Sequence, residues 1–334
     1  MTRLFQPLVV GSSKLDHRVT MAPLTRYRCD DAWLPARMTK EYYKQRACVR
    51  GTLITTEATI ISCAAASARN VPRIWCDAIF CQLWHQGRAG QLDVLEEGGF
   101  PLLSSIATLV SVHHPVPAAM SEEDIQQTIA DFATAAKNAI AAGFDMVEVH
   151  GANGYLLDQF FIENRASFHV EVTKAIIAAV GADKTAMRLS PYSDFLGMLM
   201  NKPDPTFQYV MEQLKPLGLA HLHLIEARMR GNDDADCGGQ RTIKWMVELW
   251  DHVSPVLIAG GFDGDSAKAA AGETYKGYDV AIVFGRYFVA NPDLVFWIKS
   301  GIGLGAYERT YFYTRGCGRG MSTTRLARSL RVYG

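Results

Sequence analysis

The feature that most constrains this chain is the recurrence of short apolar, β-branched runs separated by helix-length segments. Such alternation is typical of parallel strands joined by crossover helices. The runs predicted as strands lie at residues 18–25, 51–59, 78–85, 145–151, 184–191, 219–226, 255–261 and 279–286. Because eight parallel strands make a (β/α)8 barrel, we predict one α/β domain of the TIM-barrel class.

The connections between these runs are uneven. Residues 121–124 form a predicted capping box, and apolar residues then recur at helical spacing from Ile125 to Ile140. Weaker helical patterns occupy residues 205–217, 240–252, 265–271 and 292–302. Residues 60–77 show no amphipathic period, although a parallel crossover usually contains a helix. We therefore predict that the helix between the second and third strands is missing or truncated.

Charge and composition exclude several classes of partner. Lys plus Arg and Asp plus Glu both total 34 in 334 residues, so no bulk charge favours nucleic acid or an anionic membrane. No run approaches the roughly 18 apolar residues of a membrane span, and the N-terminus has no signal-like apolar core. Seven cysteines without a Cys-x-x-Cys pair favour reduced thiols. We expect a cytoplasmic protein with a small-molecule ligand.

The predicted fourth strand ends in a glycine-bracketed turn that contains His150, Asn153 and Tyr155. In α/β barrels the catalytic groups lie at the carboxyl ends of strands. His150 and Asn153 can both donate N–H groups to one substrate oxygen, and Tyr155 has a phenolic proton. Taken alone, the same polar residues could instead cap the following helix.

Other polar segments share this placement at the carboxyl ends of predicted strands. Pro23 removes a backbone donor, Thr25 and Gln82 supply neutral donors and acceptors, and Arg188 supplies a fixed cation. Together they suit a planar heterocycle with carbonyl groups and ring nitrogens. Each has a structural alternative, since Thr and Gln satisfy turns and Arg188 could pair with a carboxylate.

The last two predicted strands end in small residues followed by a cation. Gly260 and Gly261 end the seventh strand, whereas Gly285 and Arg286 end the eighth. In α/β barrels the loops after these two strands often form a phosphate site, so we predict a phosphorylated ligand. The alternative is a pair of tight turns with a surface arginine.

One histidine pair gives a weaker signal. His221 and His223 lie two residues apart on one strand face and could form half of a metal site. No nearby cysteine or carboxylate in the sequence completes such a site. We therefore predict that they fill the barrel interior and that the chain binds no metal.

Eight segments in order, MAPLTR, TEAT, QLWHQGR, HGANGYLLDQF, IENRASF, RLSP, IAGG and FGR, resemble the old yellow enzyme family of FMN-dependent ene-reductases. The resemblance extends to about Tyr313. It is closest to the fungal natural-product branch that includes chanoclavine-aldehyde reductases of alkaloid synthesis. It implies a TIM barrel that holds FMN at its carboxyl face, takes electrons from NAD(P)H and occurs as a monomer or homodimer.

The resemblance also assigns roles by matching motifs. The residues implied to contact the isoalloxazine ring are Pro23, Leu24, Thr25, Ala58, Gln82 and Arg188. Those implied to contact the phosphate are Gly260, Gly261, Gly285 and Arg286. His150 and Asn153 would hold the carbonyl oxygen of an enal or enone, and Tyr155 would protonate its α-carbon. Some relatives with Phe at the tyrosine position are described as isomerases, so Tyr155 favours reduction.

The chain departs from the family in three places. The helix after the second strand is lost near residues 73–80, and Phe161 joins Ile162 directly where the family has a longer loop. The third departure follows Tyr313, where the usual ending of the family is replaced. The barrel is therefore assigned to residues 1–313, and residues 314–334 form an atypical basic tail. Two alternatives follow from these losses: a flavin-binding isomerase or cyclase, and an inactive truncated paralogue.

Overall fold

Strands and helices alternate along the chain in the computed structural model, which describes residues 2–74, 82–111, 114–163, 166–227 and 241–315. The strands are β1 (Leu8–Val10), β2 (Ser13–Leu15), β3 (Val19–Met21), β4 (Leu53–Ile54), β5 (Ala58–Ile60), β6 (Gln82–Trp84), β7 (Leu103–Ser104), β8 (Ala118–Ala119), β9 (Val147–Gly151), β10 (Thr185–Leu189), β11 (His221–Ile225), β12 (Val256–Ala259) and β13 (Val280–Phe284). The helices are α1 (Arg37–Arg46), α2 (Leu92–Glu97), α3 (Glu122–Ala141), α4 (Leu156–Gln159), α5 (Ser167–Val180), α6 (Pro203–Leu214), α7 (Lys244–Trp250), α8 (Gly264–Ala269), α9 (Arg286–Ala290) and α10 (Leu294–Lys299).

The central sheet is parallel and closes on itself. Its order is β4-β3-β13-β12-β11-β10-β9-β6-β5. Only residues 55–57 separate β4 from β5, so the two outermost strands belong to one continuous stretch of chain. That stretch pairs with β3 through its first part and with β6 through its second part. The predicted TIM-barrel class is therefore confirmed.

Side chains of the barrel strands alternate between a helix-facing layer and the barrel interior. Val147 and Val149 of β9 pack in the main core with Phe132 of α3 and Ile176 of α5. The intervening Glu148 therefore points into the interior, where it contacts histidines of β11. The same alternation places the polar residues of the neighbouring strands inside the barrel.

The hairpin formed by β1 and β2 packs on the interior core at the amino end of the barrel. Leu8 and Leu15, which pair across the hairpin, belong to the same buried cluster as Ala220 and Leu257. The turn between the strands needs Gly11, whose φ is +54°, because an added Cβ would lie 2.2 Å from the carbonyl oxygen of Asp183. The interior is thus closed at this end.

The connection after β5 is unusual, as the sequence predicted. Among its described residues, 61–74, the only helical element is the short 3₁₀ turn Cys63–Ala65, and residues 75–81 lie outside the described chain. Residues 72–74 run beside β5, because Ile60 N–H donates to Pro72 O at 2.9 Å and Ile74 N–H donates to Ile60 O at 3.0 Å. The side-chain amide of Asn138 on α3 then donates to Ile74 O at 2.9 Å. This segment is therefore fixed to the barrel and to α3.

Most predicted elements are present, with shifted ends. The predicted third strand appears as β6, and its first four residues, 78–81, lie outside the described chain. The weak helical patterns correspond to α6, α7, α8 and α10, whereas α1, α2, α4, α5 and α9 were not predicted. None of the helices in the described ranges is long and apolar enough to cross a bilayer.

Helix α3 offers a test of the local sequence signal. Ser121 Oγ accepts from Asp124 N–H at 3.1 Å, and Ser121 N–H donates to the Asp124 carboxylate at 2.9 Å. Replacing Ser121 with Ala should lower the free energy of unfolding by about 1 kcal/mol, because a helix donor loses its acceptor. Urea denaturation measures this loss. Ser121→Thr is the matched control and should keep most of the stability; equal stabilities of Ser121→Ala and wild type would contradict the prediction.

Candidate functional site

A cavity of about 700 Å³ opens at the carboxyl ends of the barrel strands. Every residue that the sequence predicted for cofactor or substrate binding lines it. These residues are Pro23, Leu24, Thr25, Ala58, Gln82, His150, Asn153, Tyr155, Arg188, Gly260, Gly261, Gly285 and Arg286. The structure therefore brings all of them together, although they come from seven different barrel strands and the turns that follow them.

The turn after β9 fixes the orientation of its functional side chains. Asn153 adopts a left-handed conformation with φ +58°, and its N–H donates to Ser190 Oγ at 2.8 Å. Gly154 follows with φ +75°, and an added Cβ there would lie 2.6 Å from Leu196 Cβ. Its N–H donates to the buried carboxyl group of Asp158 at 2.7 Å. The chain must therefore reverse at this point, which turns Asn153 and Tyr155 to the cavity.

The ring of Tyr155 is held between two other rings. It packs edge-on against Trp84, with centroids 4.9 Å apart, and against His150, with centroids 5.0 Å apart. Burial, reinforced by the nearby phenols of Tyr27 and Tyr313, raises the pKa of Tyr155 well above its ordinary value. The phenol therefore keeps its proton throughout the physiological pH range and can donate it.

His150 is electrically neutral in this environment. Burial lowers the pKa of His150 well below its usual value, and the nearby cation of Arg188 lowers it further. Its Nδ1 atom is buried and has no hydrogen-bond partner among the described residues. The pair of His150 and Asn153 thus offers neutral N–H donors to one ligand oxygen.

A buried carboxylate lies beside this pair in the polar half of the interior. Glu148 accepts from the Gln82 side-chain amide at 2.7 Å and contacts His223 Nδ1 at 2.8 Å and His221 Nε2 at 3.3 Å. A carboxylate that is distant in the sequence therefore lies beside the two histidines, which fill the barrel interior as predicted. No set of three or more metal-ligating side chains in the described ranges has a geometry that could hold an ion.

Arg188 is the buried cation of the cavity. It pairs in register with His150 on one side and with His223 on the other, which places it in the middle of the polar wall. Its Nε atom is buried without a hydrogen-bond partner among the described residues. Burial lowers the pKa of Arg188, and the nearby carboxylate of Glu148 opposes this effect. A ligand with carbonyl oxygens would compensate this charge.

Backbone and cations dominate the other end of the cavity. Gly261 has φ +65°, and Gly285 approaches Leu24 so closely that an added Cβ would lie 3.2 Å from its Cδ2 atom. The guanidinium of Arg286 lies 6.0 Å from the ring centre of Tyr307. Arg309 lines the same cavity. Exposed backbone with two guanidinium groups suits a phosphate group.

Sequence reasoning missed an aromatic wall of the cavity. Its members are Tyr27, Tyr287, Tyr307, Phe312 and Tyr313. Tyr27 packs edge-on against Tyr313 with ring centroids 6.2 Å apart, and Phe312 packs against Tyr307 at 5.8 Å. The density of aromatic residues in the segment 307–313 was the available signal. These rings provide flat apolar faces for a planar ligand.

Fold and site together define a class of protein. One barrel mouth contains a polar wall, aromatic faces and an end that suits a phosphate group. Buried nitrogens of Arg188 and His150 in this mouth have no hydrogen-bond partner among the described residues. These groups fit FMN, which combines a flat heterocycle with a phosphate. The class is therefore an α/β-barrel enzyme for a phosphorylated heterocyclic cofactor.

Comparison with known proteins gives the family. Residues 3–304 match the model of the NADH:flavin oxidoreductase / NADH oxidase family. The chain belongs to this family, as the sequence resemblance indicated. It is an FMN-dependent oxidoreductase of the old yellow enzyme type, with a nicotinamide as reductant.

Two curated relatives differ in their described activity. A chanoclavine-I aldehyde reductase of Penicillium roqueforti (strain FM164) is 44% identical over 346 residues, covering 94% of this chain and 93% of the relative. A probable inactive reductase of Epichloe festucae var. lolii is 41% identical, covering 93% and 92%. Among solved structures, an old yellow enzyme from Pichia sp. AKU4542 superposes with a TM-score of 0.84 at 32% identity, covering 94% of this chain and 91% of that structure.

The carboxyl group that holds the turn after β9 predicts a pH dependence. Burial raises the pKa of Asp158 to about 7, against its hydrogen bond from Gly154 N–H. The folded state therefore keeps a proton that the unfolded state has lost, and stability should fall as pH rises from 4 towards 7. In Asp158→Asn the side chain does not titrate, so this loss of stability with rising pH is absent. The stability of the variant relative to wild type should improve by about 1.4 kcal/mol per pH unit at the steepest point.

Urea denaturation between pH 4 and pH 8 measures this difference. Asp183→Asn, at an exposed position, is the matched control for the loss of one carboxylate. A stability difference between Asp158→Asn and wild type that stays constant over the whole range would show that Asp158 is not protonated in the folded state.

Proposed function

We propose that this protein reduces the activated C=C bond of an α,β-unsaturated aldehyde or ketone, with FMN in the barrel cavity and NAD(P)H as reductant. The observation that carries the proposal is the shared cavity, in which the neutral donors and phenol of the β9 turn face the polar wall and the phosphate-type end. The aldehyde reductases among the relatives support an enal of fungal, alkaloid-type secondary metabolism as substrate. We place the protein in the cytoplasm as a monomer or homodimer on family resemblance.

The cofactor residues divide by chemistry. Thr25, Gln82 and Arg188 offer a hydroxyl, an amide and a cation to the polar edge of the isoalloxazine ring, and Pro23, Leu24 and Ala58 offer apolar contact. The phosphate is assigned to Gly260, Gly261, Gly285 and Arg286. When bound and reduced by NAD(P)H, FMN would supply a hydride to the β-carbon of the substrate.

His150 and Asn153 orient and activate the substrate. Because His150 is neutral, both side chains bind the carbonyl oxygen as hydrogen-bond donors without transferring a charge to it. Their donation strengthens as negative charge develops on this oxygen during reduction of the β-carbon. The left-handed backbone at Asn153 and its bond to Ser190 fix the donor before the substrate arrives.

Tyr155 completes the addition of hydrogen across the double bond. Its phenol is protonated at neutral pH, as an ordinary tyrosine is, and burial moves its pKa still further above neutrality. We assign to it the transfer of this proton to the α-carbon of the substrate. Contact with Trp84 and His150 holds the ring on the substrate side of the cavity.

Two alternatives arise because Phe161 joins Ile162 directly, where the family has a longer loop. A flavin-binding isomerase or cyclase would use the same cavity without net reduction, and an inactive paralogue would lack turnover altogether. The probable inactive relative makes the second a concrete alternative. The retained phenol of Tyr155 favours the reductase, since an isomerisation needs no net proton delivery.

An absorption spectrum tests the proposed function. The purified protein, mixed with FMN and freed of unbound flavin, should show a flavin band that bleaches under anaerobic NADPH and returns when cyclohexenone is added. Return of the band with cyclohexenone establishes the reductase. Bleaching without return favours the isomerase or cyclase, and no flavin uptake by folded protein contradicts the FMN assignment.

The role of Tyr155 predicts a selective defect. Tyr155→Phe should lower the rate of enone reduction by about 10²- to 10⁴-fold, the range attributed to one general acid. Flavin bleaching by NADPH should stay within about twofold of wild type, because no proton transfer to an alkene is involved. Stopped-flow absorbance separates the two half-reactions.

Tyr209→Phe is the matched control, because Tyr209 lies on α6 with 48% of its surface exposed. It should leave both half-reactions unchanged. If Tyr155→Phe reduced cyclohexenone as fast as wild type, another group would have to supply the proton.

A further inference from the structure

The interior of the barrel holds a carboxylate that the proposed chemistry does not use. Glu148 is 1% exposed and receives three hydrogen bonds from side chains, one from Gln82 and one from each of His221 and His223. A buried anion is costly unless it is fully hydrogen-bonded and compensated. It contacts Gln82 of the proposed flavin site directly and acts on the charge of Arg188 in the same site.

A small residue on the intervening strand makes this arrangement sterically open. Ala186 of β10 pairs in register with Glu148 on one side and with His221 on the other. Its side chain is fully buried and ends at Cβ. The carboxylate of β9 can therefore reach across β10 to the histidines of β11.

Glu148 determines the orientation of the Gln82 side-chain amide. A carboxylate accepts hydrogen bonds only, so the group of Gln82 that faces Glu148 must be the amide nitrogen. The two atoms lie 2.7 Å apart. The carbonyl oxygen of Gln82 is left as an acceptor for the ligand that fills the cavity, which it lines.

The same anion offsets the charge of Arg188. Burial alone would raise the pKa of Glu148. His223 and, to a smaller extent, Arg188 outweigh this effect and hold the pKa of Glu148 well below its usual range. His150 and His223 are both neutral near pH 7, because burial lowers the pKa of each. Removing Glu148 would therefore take away the anion that compensates the charge of Arg188.

We propose that Glu148 is a positioning residue that fixes the Gln82 amide and balances the charge of Arg188, and that it thereby holds the reduction potential of the bound flavin down. The inference rests on the proposed flavin site. A protein group next to the ring tunes a flavin through hydrogen bonds and charge. Loss of the carboxylate should favour the electron-rich reduced cofactor.

Glu148→Gln tests the proposal with little change of shape. The new amide can still accept from Gln82 and can donate to either histidine. In FMN-loaded protein we expect the two-electron equilibrium to shift about tenfold towards reduced flavin, which corresponds to a rise of about 30 mV in midpoint potential. Spectroelectrochemical titration against a reference dye measures this value without turnover.

Two controls separate charge from packing. Glu148→Asp keeps the charge and shortens the side chain, so its potential should lie much closer to wild type than that of Glu148→Gln. Glu123→Gln removes a carboxylate from the exposed face of α3 and should leave the potential unchanged. Equal shifts in Glu148→Gln and Glu148→Asp would indicate disturbed packing and would overturn the proposal.

The remaining outcomes are also decisive. Equal potentials in FMN-loaded wild type and Glu148→Gln would refute this inference and leave the proposed function intact, whereas a wild type that takes up no FMN refutes both. If Glu148→Gln does not fold, carbon NMR of wild type with labelled glutamate decides. An ionised buried carboxylate at pH 7 supports the proposal, and a protonated one overturns it.

Discussion

Closure of the parallel sheet through residues 53–60 is the constraint on which the rest of the structure depends. Because this single stretch pairs with β3 and then with β6, the strands form a ring and their carboxyl ends meet. Polar groups that lie far apart in the sequence, such as Thr25 and Arg286, therefore face one cavity. Among the described residues, the hairpin covers the opposite end of the interior, whereas this mouth is open to a ligand.

The sequence was sufficient for the ring and for the residues at its mouth, because both depend on local patterns. Apolar runs mark strands, and a polar residue just after such a run must lie at a strand end. The contact of Glu148 with His221 and His223 could not be predicted in this way. It crosses the intervening strand β10, and it needs the small Ala186 in register between the partners.

The aromatic wall escaped prediction for a different reason. Phe312 and Tyr313 lie beyond the last barrel strand, in a segment without the period of a helix or strand. Tyr27 lies in an irregular turn with φ +53°, a conformation that is uncommon for tyrosine and is not predicted from its residue type. Such residues reach the cavity only because the surrounding fold places them there, so their position depends on tertiary packing.

Gln159, the last residue of α4, anchors the turn that follows β9. Its side-chain amide donates to Gly154 O at 2.8 Å and to Gln86 O at 3.0 Å. The side-chain oxygen Oε1 of Gln159 accepts from Arg88 N–H at 3.1 Å and from Ser104 Oγ at 2.9 Å. All hydrogen-bonding positions of this buried amide are thus occupied. Because these bonds tie the turn to the loop after β6, the barrel itself holds the geometry of Asn153 and Tyr155.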